Sequence, residues 1–180
     1  MTRVRNAPDA TALMATARSF GNYDLAAALA DVIDNAISAN ASTVDIECRL
    51  LDDGDGVIRI RDDGSGMSAE ELVRAMCPAS THPEMERSAD DLGRFGWGMK
   101  SASFSQCRIL TVVTRKDGKT TAARWDLDNI ANWEMDVFTE KDAVAFLERD
   151  LPEKSGTELI WTNCDRLTEK RELRRERFNE

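Results

Sequence analysis

The sequence has little of what builds zinc sites, disulfide scaffolds or membrane spans. It holds a single histidine, His82, and four cysteines, Cys48, Cys77, Cys107 and Cys164, none of them in a CxxC pair. Zinc sites need closely spaced Cys and His ligands. This composition therefore points away from zinc and toward reduced thiols in a cytoplasmic protein. No apolar run approaches the roughly 20 residues that a bilayer-spanning helix needs. The opening stretch, "MTRVRNAPDATALMATARSF", has arginines but no unbroken apolar core, so it does not read as a signal peptide. Positive charge is also short: 24 Lys and Arg stand against 33 Asp and Glu, a formal net charge of −9. Nucleic-acid affinity rests on Lys and Arg neutralising phosphates, so a broad nucleic-acid surface is not expected here. A local basic patch, or DNA contact through a partner domain, stays open. The chain shows no internal repeat.

What is present describes one ordinary domain. The 180 residues are 42% hydrophobic and 32% charged, enough for a real core. Residues 24–39, "DLAAALADVIDNAISA", predict a helix. Leu25, Leu29, Val32, Ile33, Ala36 and Ile37 form its apolar stripe, with Asn22 or Asp24 as cap. "STVDIECRLL" alternates as a half-buried strand, "DDGDG" turns, and "VIRIR" returns, a hairpin. "SAEELVRAM" (68–76) predicts a helix opened by a capping box of Ser68 and Glu71. Residues 77–92 lack periodicity and read as a long surface loop. "RILTVVTR" and "TTAARWDL" flank the turn "KDGK", "KDAVAFLER" reads as a short helix, and "GTELIWT" as a last strand. The tail "RLTEKRELRRERFNE" is charged and helix-prone, and reads as a connecting helix. Hairpin-linked strands imply an α+β sandwich, its mixed or antiparallel sheet covered by helices on one face.

Three segments carry candidate chemistry. In "DDGSGM" (62–67), "GSGMSA" fits the loose dinucleotide pattern GxGxx[GA]. Asp62 and Asp63 would meet a pyrophosphate with like charge, which disfavours that reading. A carboxylate beside a glycine turn can instead accept a hydrogen bond from the N6 amine of adenine. Gly64 and Gly66 then let backbone approach a flat base. The plain alternative is an ordinary turn with solvated aspartates. "GRFGWGMKS" (93–101) nearly fits a P-loop, but Met99 intrudes between Gly98 and Lys100. Gly93, Gly96 and Gly98 ahead of a helix still form an anion nest, to which Lys100 adds charge; a glycine hinge is the alternative. In "DVIDNAISA", Asp31 and Asn35 are spaced i, i+4 on one helix face, with Asp34 turned away. A carboxylate and an amide so placed suit a water-activating base and a Mg²⁺ ligand, or else simply make the face polar.

Taken in order, these segments resemble the GHKL ATPases: gyrase B subunits, heat-shock chaperone ATPases, sensor histidine kinases and MutL mismatch-repair proteins. "DVIDNAISA" resembles that superfamily's ELxxNAxDA helix, "DDGSGM" its DxGxGM box, "GRFGWG" its GxxGxG box and "SGTELIW" its late Gly-Thr box. The wording is most similar to the Microrchidia-like (MORC) and MutL-like branches. The resemblance implies the Bergerat fold, a two-layer α/β sandwich with a mixed, mostly antiparallel sheet, over residues 1–165. It implies ATP and Mg²⁺ as ligands. Asn35 would hold the Mg²⁺ and Asp31 would be the catalytic base. Asp62 would bind the adenine amine, with Thr157 assisting through a water, and Gly64, Gly66 and Met67 would shape the base pocket. Gly93, Arg94, Phe95, Gly96, Trp97, Gly98 and Lys100 would wrap the phosphates, and residues 77–92 would be the ATP lid.

Two departures qualify this. The family's base is a glutamate where this chain has Asp31, shorter by roughly 1.5 Å. A misplacement of about 1 Å can cost on the order of 100-fold in rate, so slow hydrolysis is implied. The motif's final acid is replaced by Ser38. The resemblance further implies an ATP-dependent homodimer and a downstream transducer-like domain joined through residues 166–180. Three functions remain in play: an ATPase switch, a phosphotransferase of the same fold, and a non-hydrolysing nucleotide-gated binding module.

Overall fold

The computed structural model describes residues 8–19, 24–51, 55–78 and 98–166. Helix α1 (Ala10–Ser19), which the sequence pattern did not predict, is opened by Asp9; its carboxylate accepts the Ala12 N–H at 2.7 Å. Helix α2 (Leu25–Ser38) starts at Asp24, whose side chain accepts the Ala27 N–H at 2.8 Å. Strands β1 (Val44–Leu50) and β2 (Gly56–Asp62) form the expected hairpin. Helix α3 (Ala69–Met76) has the predicted capping box, with the Ser68 N–H donating to Glu71 Oε2 at 2.7 Å. Helix α4 (Gly98–Gln106) leads into β3 (Ile109–Lys116) and β4 (Lys119–Asp126). These strands are joined by Asp117 and Gly118, both at positive φ, the backbone of a two-residue hairpin turn. A short turn at 131–133, strand β5 (Asp136–Phe138), helix α5 (Glu140–Val144) and strand β6 (Gly156–Thr162) complete the described chain.

The sheet order is β1-β2-β6-β3-β4-β5, and every pairing among the described strands is antiparallel. The last strand, β6, inserts between β2 and β3. The resulting register stacks side chains in rows across the helix-covered face. One row runs Ile58–Trp161–Leu110–Trp125, and the next Ile60–Leu159–Val112–Ala123. Both rows are buried against residues of α1 to α4, including Met14, Val32, Leu72, Met76 and Phe104. This is the α+β two-layer sandwich expected. The opposite face carries a smaller cluster, where Ala143 of α5 and Leu151 cover Val113, Ala122 and Ile160.

Strand β1 differs from the half-buried strand predicted by its alternation. It is exposed along nearly its whole length, Ile46 and Leu50 included. Among the described strands it pairs only with β2, and α2 packs along α4 instead of lying over it. Ile37, on the predicted stripe of α2, is exposed for the same reason. Most of the proposed lid (79–92) and of the proposed connecting helix (167–180) falls outside the described residues.

Candidate functional site

One row beyond the apolar ones, the same face turns polar. Asp62 of β2, Thr157 of β6 and Thr114 of β3 are direct partners across the sheet. All three are buried. Here the chain leaves β2 and folds back over the strand ends. The Gly64 N–H donates to Asp62 Oδ1 at 2.9 Å, and the Met67 N–H donates to Thr114 Oγ1 at 2.9 Å. Gly66 has φ +62°, and a Cβ there would lie 1.8 Å from the Arg115 carbonyl oxygen. Only glycine combines that conformation with that approach. The Ser65 N–H donates to the Ala39 carbonyl at 2.9 Å, tying the loop to the end of α2. The structure thus brings Asp62, Gly64, Gly66, Met67 and Thr157 together.

The two aspartates of "DDGSGM" do different things. Burial raises the Asp62 carboxyl above its ordinary value; the Gly64 N–H opposes this, the neighbouring Asp63 charge adds to it, and the Thr157 N–H opposes it. A buried carboxylate so disfavoured in its charged form is a strong acceptor for a ligand's donor. Asp63 is engaged elsewhere. It accepts the Thr43 and Ser42 N–H groups at 2.8 and 2.7 Å, which hold it below the usual carboxylate range and pin the entry to β1.

On α2, the Asn35 Nδ2 donates to the Asp31 carbonyl at 2.6 Å. That bond uses the amide nitrogen and leaves Oδ1, the atom able to ligate a cation, outside it, on an exposed residue. Asp31 is partly buried, one turn earlier. Ser38, where the family's motif has an acid, donates to the Asp34 carbonyl at 2.9 Å. Helix α2 packs along α4, so the Asp31–Asn35 helix adjoins the helix that Gly98 begins. Gly93, Arg94, Phe95, Gly96 and Trp97 lie outside the described residues.

Lys100 is neither a solvated charge nor an open anion hook. It is 2% exposed, and its Nζ donates to the Ala75 carbonyl in the last turn of α3 at 2.5 Å. A cation suits the negative end of a helix. The ammonium therefore ties the start of α4 to the end of α3. Burial lowers its pKa to about 8 from an ordinary 10.5. The unfolded chain then binds more protons than the folded one between those values, so stability rises with pH across that window. Below about pH 8 both states are charged and the burial penalty is complete. Relative to Lys100→Met, whose curve lacks this titration, the wild type should gain on the order of 3 kcal/mol between pH 7.5 and 10.5. Urea melts of both proteins across that range measure it; parallel curves would refute the assignment.

Thr114 escaped the sequence reading. Its only signal is a polar residue at a core-facing position of "ILTVVTRK", and that position becomes visible only once the register with β6 is known.

Comparison with known proteins agrees with this geometry. Residues 23–157 match the family of histidine kinase-, DNA gyrase B-, and HSP90-like ATPases. The chain belongs to this family. Among its relatives, the ATPase morc-1 of Caenorhabditis elegans is 38% identical over 96 residues, covering 53% of this chain and 11% of that protein. The DNA mismatch repair protein MutL of Paramagnetospirillum magneticum is 32% identical over 106 residues, covering 57% of this chain and 16% of its own. The mismatch repair endonuclease pms1 of Dictyostelium discoideum is 30% identical over 109 residues, covering 59% and 10%. These fall in the MORC-like and MutL-like branches. The chain spans only a small part of each relative's length. Membership of this ATPase family supports ATP binding and, in general terms, ATPase activity. Among the described residues no helix is long and apolar enough to cross a membrane.

Proposed function

We propose that this chain is a Mg²⁺-dependent ATP-binding and ATP-hydrolysing domain that works as a nucleotide-driven switch. The observation that carries the reading is the buried Asp62 carboxylate at the end of an apolar sheet face, flanked by Thr157 and roofed by the glycine turn. In this reading Asp62 accepts the adenine amine and Thr157 assists. The anion nest of Gly93, Gly96 and Gly98 receives the phosphates, together with Arg94, Phe95 and Trp97. Lys100 contributes by fixing α4 to α3. Asp31 orients and deprotonates the attacking water.

The donor set fits magnesium. Among the described residues no group of three His, Cys, Asp or Glu lies close enough to hold a metal unaided. Magnesium bound largely by nucleotide phosphates and water needs only one or two protein oxygens, and Asn35 Oδ1 is one. When bound, the ion neutralises charge on the phosphates. Residues 77–92 act as the lid, residues 166–180 connect to a transducer-like domain, and ATP favours a homodimer. The four cysteines are free thiols, which suits a reducing, cytoplasmic setting.

Titration calorimetry with Mg²⁺ and ATP should show association, and phosphate release should be slow. Asn35→Ala should lower turnover by at least about 100-fold, with the fold intact by circular dichroism. Transfer of label from γ-labelled ATP to a partner protein, with little free phosphate, would replace hydrolysis by phosphotransfer. The shorter Asp31 supports one other reading, a non-hydrolysing binding module. Tight ATP binding with no turnover, unchanged in Asp31→Glu, would decide for it.

A further inference from the structure

We propose that Thr114 is a specificity-determining positioning residue. It fixes the Thr157 hydroxyl as a hydrogen-bond acceptor, so that the pocket selects a 6-amino purine nucleotide over a 6-oxo one. This rests on the nucleotide reading above.

Hydrogen counting carries the argument. A threonine hydroxyl has one hydrogen and two lone pairs. Thr114 is fully buried, so its partners are those the protein supplies. Its Oγ1 meets three of them: the Met67 N–H at 2.9 Å, the Gly156 carbonyl at 3.2 Å and Thr157 Oγ1 at 3.1 Å. Met67 donates and takes one lone pair. If Thr114 gave its hydrogen to Thr157, its contact with the Gly156 carbonyl would set lone pair against lone pair. One assignment makes all three contacts bonds: Thr157 donates to Thr114, and Thr114 donates to Gly156.

The consequence falls on Thr157. Having given away its only hydrogen, its Oγ1 shows the pocket lone pairs alone. Its partner across the sheet is Asp62, acceptor-only when ionised. Two adjacent acceptors match the two N–H bonds of an exocyclic amine, directly or through a water. A 6-oxo group brings lone pairs to both. Sites built to hydrogen-bond one substrate group reject an analogue lacking it because their buried polar atoms are left unpaired.

Thr114→Val keeps the side-chain shape and removes the relay, together with the acceptor of the Met67 N–H, whose loss weakens both nucleotides alike and leaves their ratio to report the relay. Thr157 is then free to turn its hydrogen into the pocket and donate to a 6-oxo group. Calorimetry with Mg-ATP and Mg-ITP reads the difference. The wild type should prefer ATP by at least about 100-fold, Thr114→Val by less than about tenfold, and Thr114→Ser should retain the wild-type ratio. Thr157→Val should lower the ratio similarly, and adding Thr114→Val to it should change nothing further. Thr157→Val keeps the proposal exposed even if Thr114→Val does not fold, because an unchanged ratio there overturns it. A Thr114→Val protein that weakens both nucleotides equally also overturns it, and leaves Thr114 a packing residue. Absence of any ATP association by the wild type removes the nucleotide reading and the relay together. Normal ATP binding with an unaltered ratio in the variants removes the relay alone.

Discussion

Asp62→Asn should weaken ATP binding by about 10- to 100-fold, the worth of one charge-assisted hydrogen bond, and at the same time raise the melting temperature of the nucleotide-free protein. The two effects have one cause. Burial raises the folded-state pKa of Asp62 above its unfolded value. Between those values the folded chain binds more protons, so stability falls as pH rises through that window. Above that window the carboxylate is ionised and the loss is complete. Asparagine keeps an oxygen for the Gly64 N–H and carries no charge to desolvate. It also offers an N–H₂ group where the ligand's amine needs an acceptor. Calorimetry, and thermal melts over a series of pH values, separate the two effects. The stabilising effect should shrink toward acid, where the wild-type carboxyl is protonated. Affinity and melting temperature falling together would make Asp62 a structural residue and remove it from the binding site.

How much of this could be read along the chain follows from the range of each interaction. Helices α2 and α3 and the β1–β2 and β3–β4 hairpins were legible because their signals are local: a 3.6-residue stripe, a capping box, a turn between alternating runs. The Asp62 turn was legible for the same reason, since its glycines and acid lie within six residues. Helix α1 was missed because its alanines give a weak stripe. Nothing local states that β6 threads between β2 and β3, yet this placement builds the Asp62–Thr157–Thr114 row. From the residues alone Asp62 and Asp63 read as a pair; the resemblance singles out Asp62, and the bonds from Ser42 and Thr43 give Asp63 its separate role. Lys100 read as a phosphate ligand because a lysine after glycines ordinarily is one. Its burial depends on where α3 ends, a non-local fact. Exposure of β1 is likewise set by where α2 packs, which alternation cannot report.

Gly66→Ala should cost about 2–4 kcal/mol of stability and abolish detectable ATP binding, whereas Gly118→Ala should cost only about 1–2 kcal/mol and leave binding unchanged. Both glycines have positive φ, +62° and +76°. They therefore share the conformational penalty of a Cβ in the left-handed region. They differ in what that Cβ would meet. At Gly118 nothing lies within 4 Å; at Gly66 the Arg115 carbonyl oxygen is 1.8 Å away and its carbon 2.8 Å. That carbonyl belongs to β3, paired with β4 on one side and β6 on the other, so it has no room to retreat. The loop must lift instead, which breaks the Met67 bond to Thr114 and moves the backbone that caps Asp62. A displacement of about 1 Å at such a site costs on the order of 100-fold or more. Denaturant melts and ATP calorimetry on both variants check the pair. Equal stability losses would mean that backbone conformation alone makes glycine necessary at Gly66. Retained binding in Gly66→Ala would show that the loop over the strand ends is not part of the nucleotide pocket.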